Sequence, residues 1–337
     1  MIDLRSDTVT KPTKAMLDVM VQAQLGDDVY GDDPSVNELE TWAAKRHGFE
    51  SALFCSSGTQ ANLLALMAHC ERGDEYLCGQ QAHNYKFEGG GAAVLGSIQP
   101  QPIENERDGT LCFTKLAAAI KPDDLHFANT RLLSLENTIN GKVIGLEYLI
   151  QARKFANKHG LALHLDGARI YNASIALGID VKTLTQPFDS VSICLSKGLG
   201  APVGSLLLGE SALIAKARRW RKMLGGGMRQ VGILAKAGLY ALQNNVERLQ
   251  LDHDNAVFLA KALNDMNAFS LNPQRVETNI VFAKLDHNIN QDSLIECLAS
   301  KGIIVSKGQP MRFVTHQDVT RDDIKHLIKA LICFFER

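Results

Sequence analysis

Short apolar runs alternate along most of the chain with longer stretches whose apolar residues recur at helical spacing. ALFCSS (52–57) reads as a strand, and GTQANLLALMAHC behind it as a helix. EYLCG (75–79), TRLLSLEN (130–137), LALHLDG (161–167) and SVSICLS (190–196) continue the series of strands. Helical patterns fill 146–159 and 168–178, between the last three of these. Apolar strands separated by helices predict an α/β fold, a mostly parallel sheet covered on both faces. VGSLLLG (203–209) reads as one more strand, and helix-rich sequence then runs from 211 to about 264. Beyond it come weaker strand signals at 278–285, 302–306 and 311–316, with helical segments at 291–301 and 320–336. The pattern divides the chain into a large domain, 1–246, with an N-terminal arm, and a small α+β C-terminal domain, 247–337. No internal repeat or low-complexity linker interrupts it.

In an open α/β sheet, ligands bind at the carboxyl ends of the strands. The residues that follow each strand are therefore informative. They are Ser57-Gly58-Thr59, then Ala82-His83-Asn84, Asn137-Thr138, Asp166-Gly167-Ala168-Arg169, and Ser196-Lys197. Ser57-Gly58-Thr59 opens a helix directly after a strand, where free N–H groups and the helix dipole suit a phosphate, although a plain Ser/Thr cap has the same look. Asp166 ends an apolar strand, and a carboxylate at that depth calls for a cationic partner; Arg169 is placed to pair with it or with a ligand. Lys197 closes an apolar run and is followed by GLGAPVG, which leads into a strand and so fails as a dinucleotide fingerprint. A phosphate cradle, a buried acid and a reactive lysine at the ends of successive strands together describe a pyridoxal 5'-phosphate site: helix N-terminus for phosphate, aspartate for the pyridine nitrogen, lysine for the aldehyde. His83 is placed to stack on the ring.

The chain has 337 residues and a formal net charge of -1, which argues against a general nucleic-acid or anionic-membrane binder. The opening MIDLRSDTVTK lacks the apolar core of a secretory signal, and no apolar run approaches the ~18 residues of a membrane span. Seven scattered cysteines, none in CxxC spacing, read as reduced and mostly buried in a cytoplasmic protein. No metal site is expected. The four aspartates of GDDVYGDDP (26–34) do not fit a calcium loop and read as turn and cap residues. KARRWRK (216–222) reads as a solvated helix face, and the three glycines of GGGMRQ (225–230) permit close backbone approach.

DLRSDTVTKPT (3–13), GDDVYGDDP (26–34), SSGTQAN (56–62), AHNYKFEGGGAAVLG (82–96), LSLENTINGKV (133–143), HLDGARIYNA (164–173), SICLSKGLGAPVGSLL (192–207), GGGMRQ (225–230) and RFVTHQDV (312–319) together resemble the L-threonine aldolase family, above all its bacterial low-specificity enzymes. The resemblance spans essentially the whole chain. It departs at Ile139, where the family usually has histidine; a side chain that neither donates nor accepts leaves packing as its role.

The resemblance implies the fold-type-I architecture of pyridoxal-phosphate enzymes, with a seven-stranded sheet, and a homotetramer with active sites between subunits. It implies Lys197 as the Schiff-base lysine, Asp166 as partner of the pyridine nitrogen, His83 as the stacking residue, and Gly58 and Thr59 as phosphate ligands. Arg229 and Lys222 are similar to residues that reach the phosphate from a neighbouring subunit. Ser6, Arg169 and Arg312 are similar to a substrate-carboxylate site, and Tyr30 to an active-site residue at the dimer contact. His83 and His126 both resemble histidines near the β-hydroxyl, and the sequence does not choose between them as the base. The implied reaction is retro-aldol cleavage of L-threonine or L-allo-threonine to glycine and acetaldehyde. Another pyridoxal-phosphate lyase, a glycine hydroxymethyltransferase, or a non-catalytic scaffold that kept the cofactor site are the rival readings.

Overall fold

The computed structural model describes residues 1–336. Twelve strands appear in it: β1 (Ile2–Asp3), β2 (Ser51–Cys55), β3 (Asp74–Gly79), β4 (Gln99–Ile103), β5 (Asn129–Glu136), β6 (Ala162–Asp166), β7 (Ser190–Cys194), β8 (Ser205–Gly209), β9 (Phe269–Ser270), β10 (Ile280–Leu285), β11 (Ile303–Ile304) and β12 (Met311–Val314). Seven form the main sheet in the order β2-β8-β7-β6-β5-β3-β4. β8 runs antiparallel to both its neighbours, and the other pairings are parallel. Every residue of β7 and β8 is buried, because helices cover both faces of the sheet.

β4 escapes the hydrophobic pattern. Its sequence, QPQPI, carries Pro100 and Pro102, which have no N–H to give a second neighbour. It survives as an edge strand, paired with β3 alone.

The helix Pro34–His47 explains part of the acidic run before it. Asp33 caps it, accepting from the N–H groups of Ser35 and Val36. Asp28 departs from the turn-and-cap reading: it is buried and ion-paired with Arg221, Nη2 to Oδ2 2.6 Å. Arg221 belongs to the helix Ser211–Met223 and is only 3% exposed, so KARRWRK is not wholly a solvated face. Its Nη1 also donates to the carbonyl of Phe54 at 2.6 Å.

A second hydrophobic cluster forms around the three-stranded sheet β12-β10-β9 and the helices Leu249–Asn264, Gln291–Ser300 and Arg321–Phe335. The start of the chain joins this cluster. β1 pairs in parallel with β11, and Leu4 N–H donates to Ile304 O at 2.9 Å. Ile2 and Leu4 pack with Leu259, Phe313 and Leu327. That docking carries Ser6 and Asp7 toward the main sheet. Among the described residues, no helix is long and apolar enough to cross a membrane. Because Leu4 is completely buried, Leu4→Ala is expected to lower stability by about 2–5 kcal/mol, measured as a shift in the denaturant midpoint.

Candidate active site

Asp166 is the last residue of β6 and is 3% exposed. Its carboxylate is held by neutral donors, Asn62 Nδ2 at 2.7 Å and the N–H of Ala168 at 3.1 Å. The cationic partner expected from the sequence is not supplied by the described residues. Gly167 lets the chain turn tightly behind it, because a Cβ there would lie 2.6 Å from the carbonyl oxygen of Ser192.

Glu136 ends β5 and lies opposite Asp166 in register. It accepts from the N–H of His83 at 2.7 Å. Burial and then the neighbouring Asp166 push its carboxyl well above the usual carboxylate range. A third acid, Glu88, is also raised by burial, against the opposing pull of His83. Glu88 Oε1 bonds His83 Nδ1 at 2.8 Å and accepts from Asn62 Nδ2 at 2.8 Å. The amide NH2 of Asn62 thus bridges Glu88 and Asp166. One ligand atom from each of His83, Glu88 and Asp166 falls within 4.8 Å of the others.

Arg169 does not pair with Asp166. Its Nε and Nη2 grip Asp7, at 2.8 and 2.5 Å. Burial opposes the charge on Asp7, but Arg169 and then Lys197 overcome it and hold the carboxyl far below the usual range. Arg312, on β12, donates to the carbonyl of Arg5 at 3.0 Å. Burial and the Arg169 guanidinium both pull its pKa down. Of the two guanidinium groups only Arg169 is ion-paired with a protein carboxylate, an arrangement suited to a second, incoming carboxylate. Ser6, half-buried, caps the short turn Asp7–Val9 beside them. Lys197, also half-buried, makes no hydrogen bond through Nζ to any described residue; its carbonyl accepts from Thr10 Oγ1 at 3.1 Å.

Gly58 and Thr59 open the helix Gly58–His69 directly after β2. Ser57 caps it through the N–H of Gln60, and the backbone N–H groups of Gly58 and Thr59 have no acceptor among the described residues. Ser205 Oγ is buried without a partner, 3.6 Å from where a Cβ on Gly58 would stand. The glycine-rich loop packs against this first turn: a Cβ on Gly226 would collide with the Gln60 side chain.

The remaining candidates stand apart from this cluster. Tyr30 is 80% exposed, with the Arg229 guanidinium 5.7 Å from its ring centre. Arg229 also pairs with Asp27 at 2.8 Å. Lys222 lies in the last turn of its helix, alongside Gly227. His126 is exposed, with Nδ1 2.6 Å from Asp124 Oδ1 and no hydrogen bond to the cluster. Ile139 is buried in the main core, packed on Gly109, where a Cβ would clash with it. Sequence reasoning passed over Asp7, Asn62, Glu88 and Glu136. Glu136 and Asn62 were in view, one ending a strand and the other in the first turns of the phosphate-type helix, but neither residue type signals its role without its partners.

Residues 3–287 match the beta-eliminating lyase family. The chain is 56% identical to the low specificity L-threonine aldolase of Escherichia coli K12, over 100% of both chains. It belongs to the L-threonine aldolase family. Its identity to low-specificity L-threonine aldolase 1 of Arabidopsis thaliana is 43%, covering 99% of this chain and 95% of the other. The solved threonine aldolase of Leishmania major, 19% identical, superimposes with a TM-score of 0.84 over 99% of each chain, a likeness of fold.

Pyridoxal 5'-phosphate is the cofactor of this family and fold. The residues present fit it. Two open N–H groups at a helix start and an orphaned hydroxyl suit its phosphate. A buried carboxylate with only neutral donors suits a protonated pyridine nitrogen. A lysine amine without a protein partner suits its aldehyde.

Two tests follow from this geometry. Asp7→Asn leaves Arg169 buried and uncompensated; it is expected to cost about 3–5 kcal/mol in thermal or denaturant unfolding and to raise the KM for an amino-acid substrate. Glu136 holds its proton more tightly in the folded than in the unfolded state. Its contribution to stability is therefore full below the ordinary carboxylate pKa and is lost as pH rises through the raised folded value. Glu136→Gln in the cofactor-free protein is expected to melt near wild type at about pH 4.5 and roughly 2 °C or more above it at about pH 8.

Proposed function

We propose that this chain cleaves L-threonine, L-allo-threonine and related L-β-hydroxy-α-amino acids by a retro-aldol reaction, giving glycine and an aldehyde, acetaldehyde from threonine. The observation that carries it is the union of a carboxylate-binding pair, Arg169 and Arg312, with an unpartnered lysine and a buried aspartate in one cluster. The full-length identity to low-specificity L-threonine aldolases supports the same reading.

When bound, pyridoxal 5'-phosphate supplies an aldehyde that condenses with amines and a ring that accepts the electron pair of a broken Cα bond. The chain's own residues do the rest. Lys197 Nζ, free of protein partners, would hold the aldehyde end. Gly58 and Thr59 N–H groups would hold the phosphate at the helix start. Asp166 would partner the pyridine nitrogen, and His83, half-exposed beside Glu88, would flank the ring. Asp7 holds the Nε and Nη2 edge of Arg169, leaving Nη1 for the substrate carboxylate beside Arg312 and Ser6. Fixing that carboxylate would orient the bonds at the substrate's Cα, and that orientation would select the bond that breaks. His83 Nδ1 is 2.8 Å from Glu88 Oε1, and its Nε2 has no partner among the described residues. That nitrogen takes the β-hydroxyl proton.

The protein assembles as a homotetramer whose active sites lie between subunits. Exposed apolar side chains at Phe87, Val94, Leu125 and Met223 support this. Tyr30, Lys222 and Arg229 then serve a neighbouring site, as cofactor and substrate contacts, and the His126 loop, flanked by exposed Leu125 and Phe127, is covered in the assembly and brings His126 to the hydroxyl. The domain division falls near residue 247. In support, the helix Leu249–Asn264 lends Leu249 to the main core and Ala256, Leu259 and Leu263 to the C-terminal one. Seven free cysteines support a reducing, cytoplasmic location.

Borohydride reduction of the holoprotein followed by peptide mapping is expected to place the adduct on Lys197, with acetaldehyde released from threonine in the absence of folate. Lys197→Ala is expected to lose about 10³-fold or more in turnover. An adduct without acetaldehyde would transfer the protein to another lyase or a binding role, and a folate requirement would make it a hydroxymethyltransferase.

A further inference from the structure

Asp166 is the end of a longer buried structure. Behind it, beneath the helix Gly58–His69, the sheet carries a polar stripe instead of an apolar one. On β6 the stripe is His164 and Asp166, two residues apart and so on one face; on β7 it is Ser190 and Ser192. The register sets His164 beside Ser190 and Asp166 beside Ser192. The helix above adds Asn62 and His69, seven residues apart and so on one side. Asn62, His164, Ser190 and Ser192 are all buried.

The hydrogen bonds run in one line. His69 Nε2 is 2.7 Å from Ser190 Oγ, which is 2.8 Å from His164 Nδ1. His164 Nε2 is 3.4 Å from Asn62 Oδ1, and Asn62 Nδ2 donates to Asp166 Oδ2 at 2.7 Å. Donor accounting gives the line one polarity. Asn62 spends both amide hydrogens on carboxylates, Asp166 and Glu88. Its Oδ1 must then accept, from Ser192 Oγ at 2.7 Å and from His164. His164 therefore carries its hydrogen on Nε2 and accepts at Nδ1 from the Ser190 hydroxyl. The Ser190 oxygen in turn accepts from His69 Nε2–H. Every link points its hydrogen toward Asp166. Burial keeps both rings neutral, taking His164 down to about 3 and His69 to about 4. The far end of the line, His69, lines an open cavity of about 750 Å³ at the amino-terminal edge of β6 and β7, with Arg153, Asp189 and Lys216.

We propose that Asn62, His164, Ser190 and His69 are positioning residues, a hydrogen-bond relay of fixed polarity that holds Asp166 in place as the carboxylate partner of the cofactor's pyridine nitrogen. The proposal rests on the reading that pyridoxal 5'-phosphate binds at Asp166. A histidine and two serines on consecutive buried strands would otherwise be an unfavourable way to fill the space under a helix, where apolar residues of like volume need no partners. Outer partners of this kind set how firmly an inner ligand is oriented, and losing one weakens the inner contact by about 10–100-fold in comparable second-layer cases.

The test compares wild type, Ser190→Ala, His164→Leu and His164→Gln. Cofactor affinity, the pH dependence of the bound cofactor's absorbance and the melting temperature of the cofactor-free protein are read for each. Ser190→Ala and His164→Leu are expected to weaken cofactor affinity by about tenfold and to displace the absorbance profile. His164→Gln, which can accept and donate at once, is expected to recover part of both. Affinity and absorbance unchanged in Ser190→Ala and His164→Leu, or glutamine no better than leucine, would overturn the relay and leave the stripe as packing. Because His164→Leu can fail to fold, Ser190→Ala carries the test alone in that case. A measurement on the cofactor-free wild type separates this from the reading it rests on: nitrogen NMR is expected to find the His164 ring protonated at Nε2. Protonation at Nδ1 would overturn the relay, while correct tautomers in a protein that takes up no cofactor would overturn the cofactor reading and, with it, the assignment of Asp166.

Discussion

Three carboxylates crowd the carboxyl edge of β5 and β6, and the site is organised around keeping them there. Glu136 and Asp166 stand side by side in register, and Glu88 lies against the same amide as Asp166. Like charges about 4 Å apart in a partly buried setting repel by about 4 kcal/mol. The fold relieves this in three ways. Glu136 and Glu88 have raised pKa values, which favours their neutral forms. Neutral donors from Asn62, His83 and Ala168 are spread across the group. Arg169 and Lys197 also draw the Glu136 pKa down by their charge. What remains is a buried Asp166 with no cationic partner among the described residues, the condition under which a positively charged ring nitrogen binds well.

A second ion pair ties that cluster to the other core. Asp7 receives Arg169 from the main sheet and Asn279 Nδ2, at 3.2 Å, from just before β10. It reaches this place because β1 and Leu4 anchor the start of the chain in the C-terminal core. Arg312 comes from that core too, on β12. The pair that would hold a substrate carboxylate thus has one arginine from each side, with Asp7 charged against both. The distance between the guanidinium groups, and so the pose of a substrate, depends on how the two cores meet.

Strongly patterned elements were legible in the sequence. The buried strands β5 to β8 read as apolar runs because covered strands have no polar face to alternate with. β4 did not, because two prolines mask a strand whose outer edge needs no donor. The strands β1 and β9 contain two residues each, too few for any periodicity. At the site, residues with unusual chemistry at strand ends stood out: Lys197, Asp166, Gly58, Thr59 and His83. Those whose role is a relation to another residue did not. Asp7 gave no signal of its own, and the Arg169 pairing offered to Asp166 belongs to Asp7. Asp28 and Arg221 are 193 residues apart and find each other only in the fold.

The helix Gly58–His69 shows why such relations concentrate where they do. Its first turn leaves two N–H groups open at the end of β2, and its second brings Asn62 over Asp166. In the proposed site one rigid element therefore carries both the N–H groups for the phosphate and the amide that holds Asp166, with the spacing between them fixed by the helical rise. Residues 61 to 67 are all buried, so the element has no solvated face in that span along which to slide. An asparagine within that buried span is costly unless every polar atom finds a partner. Asn62 achieves this with Asp166, Glu88, Ser192 and His164, which makes the position of the helix and the orientation of the carboxylate a single structural fact.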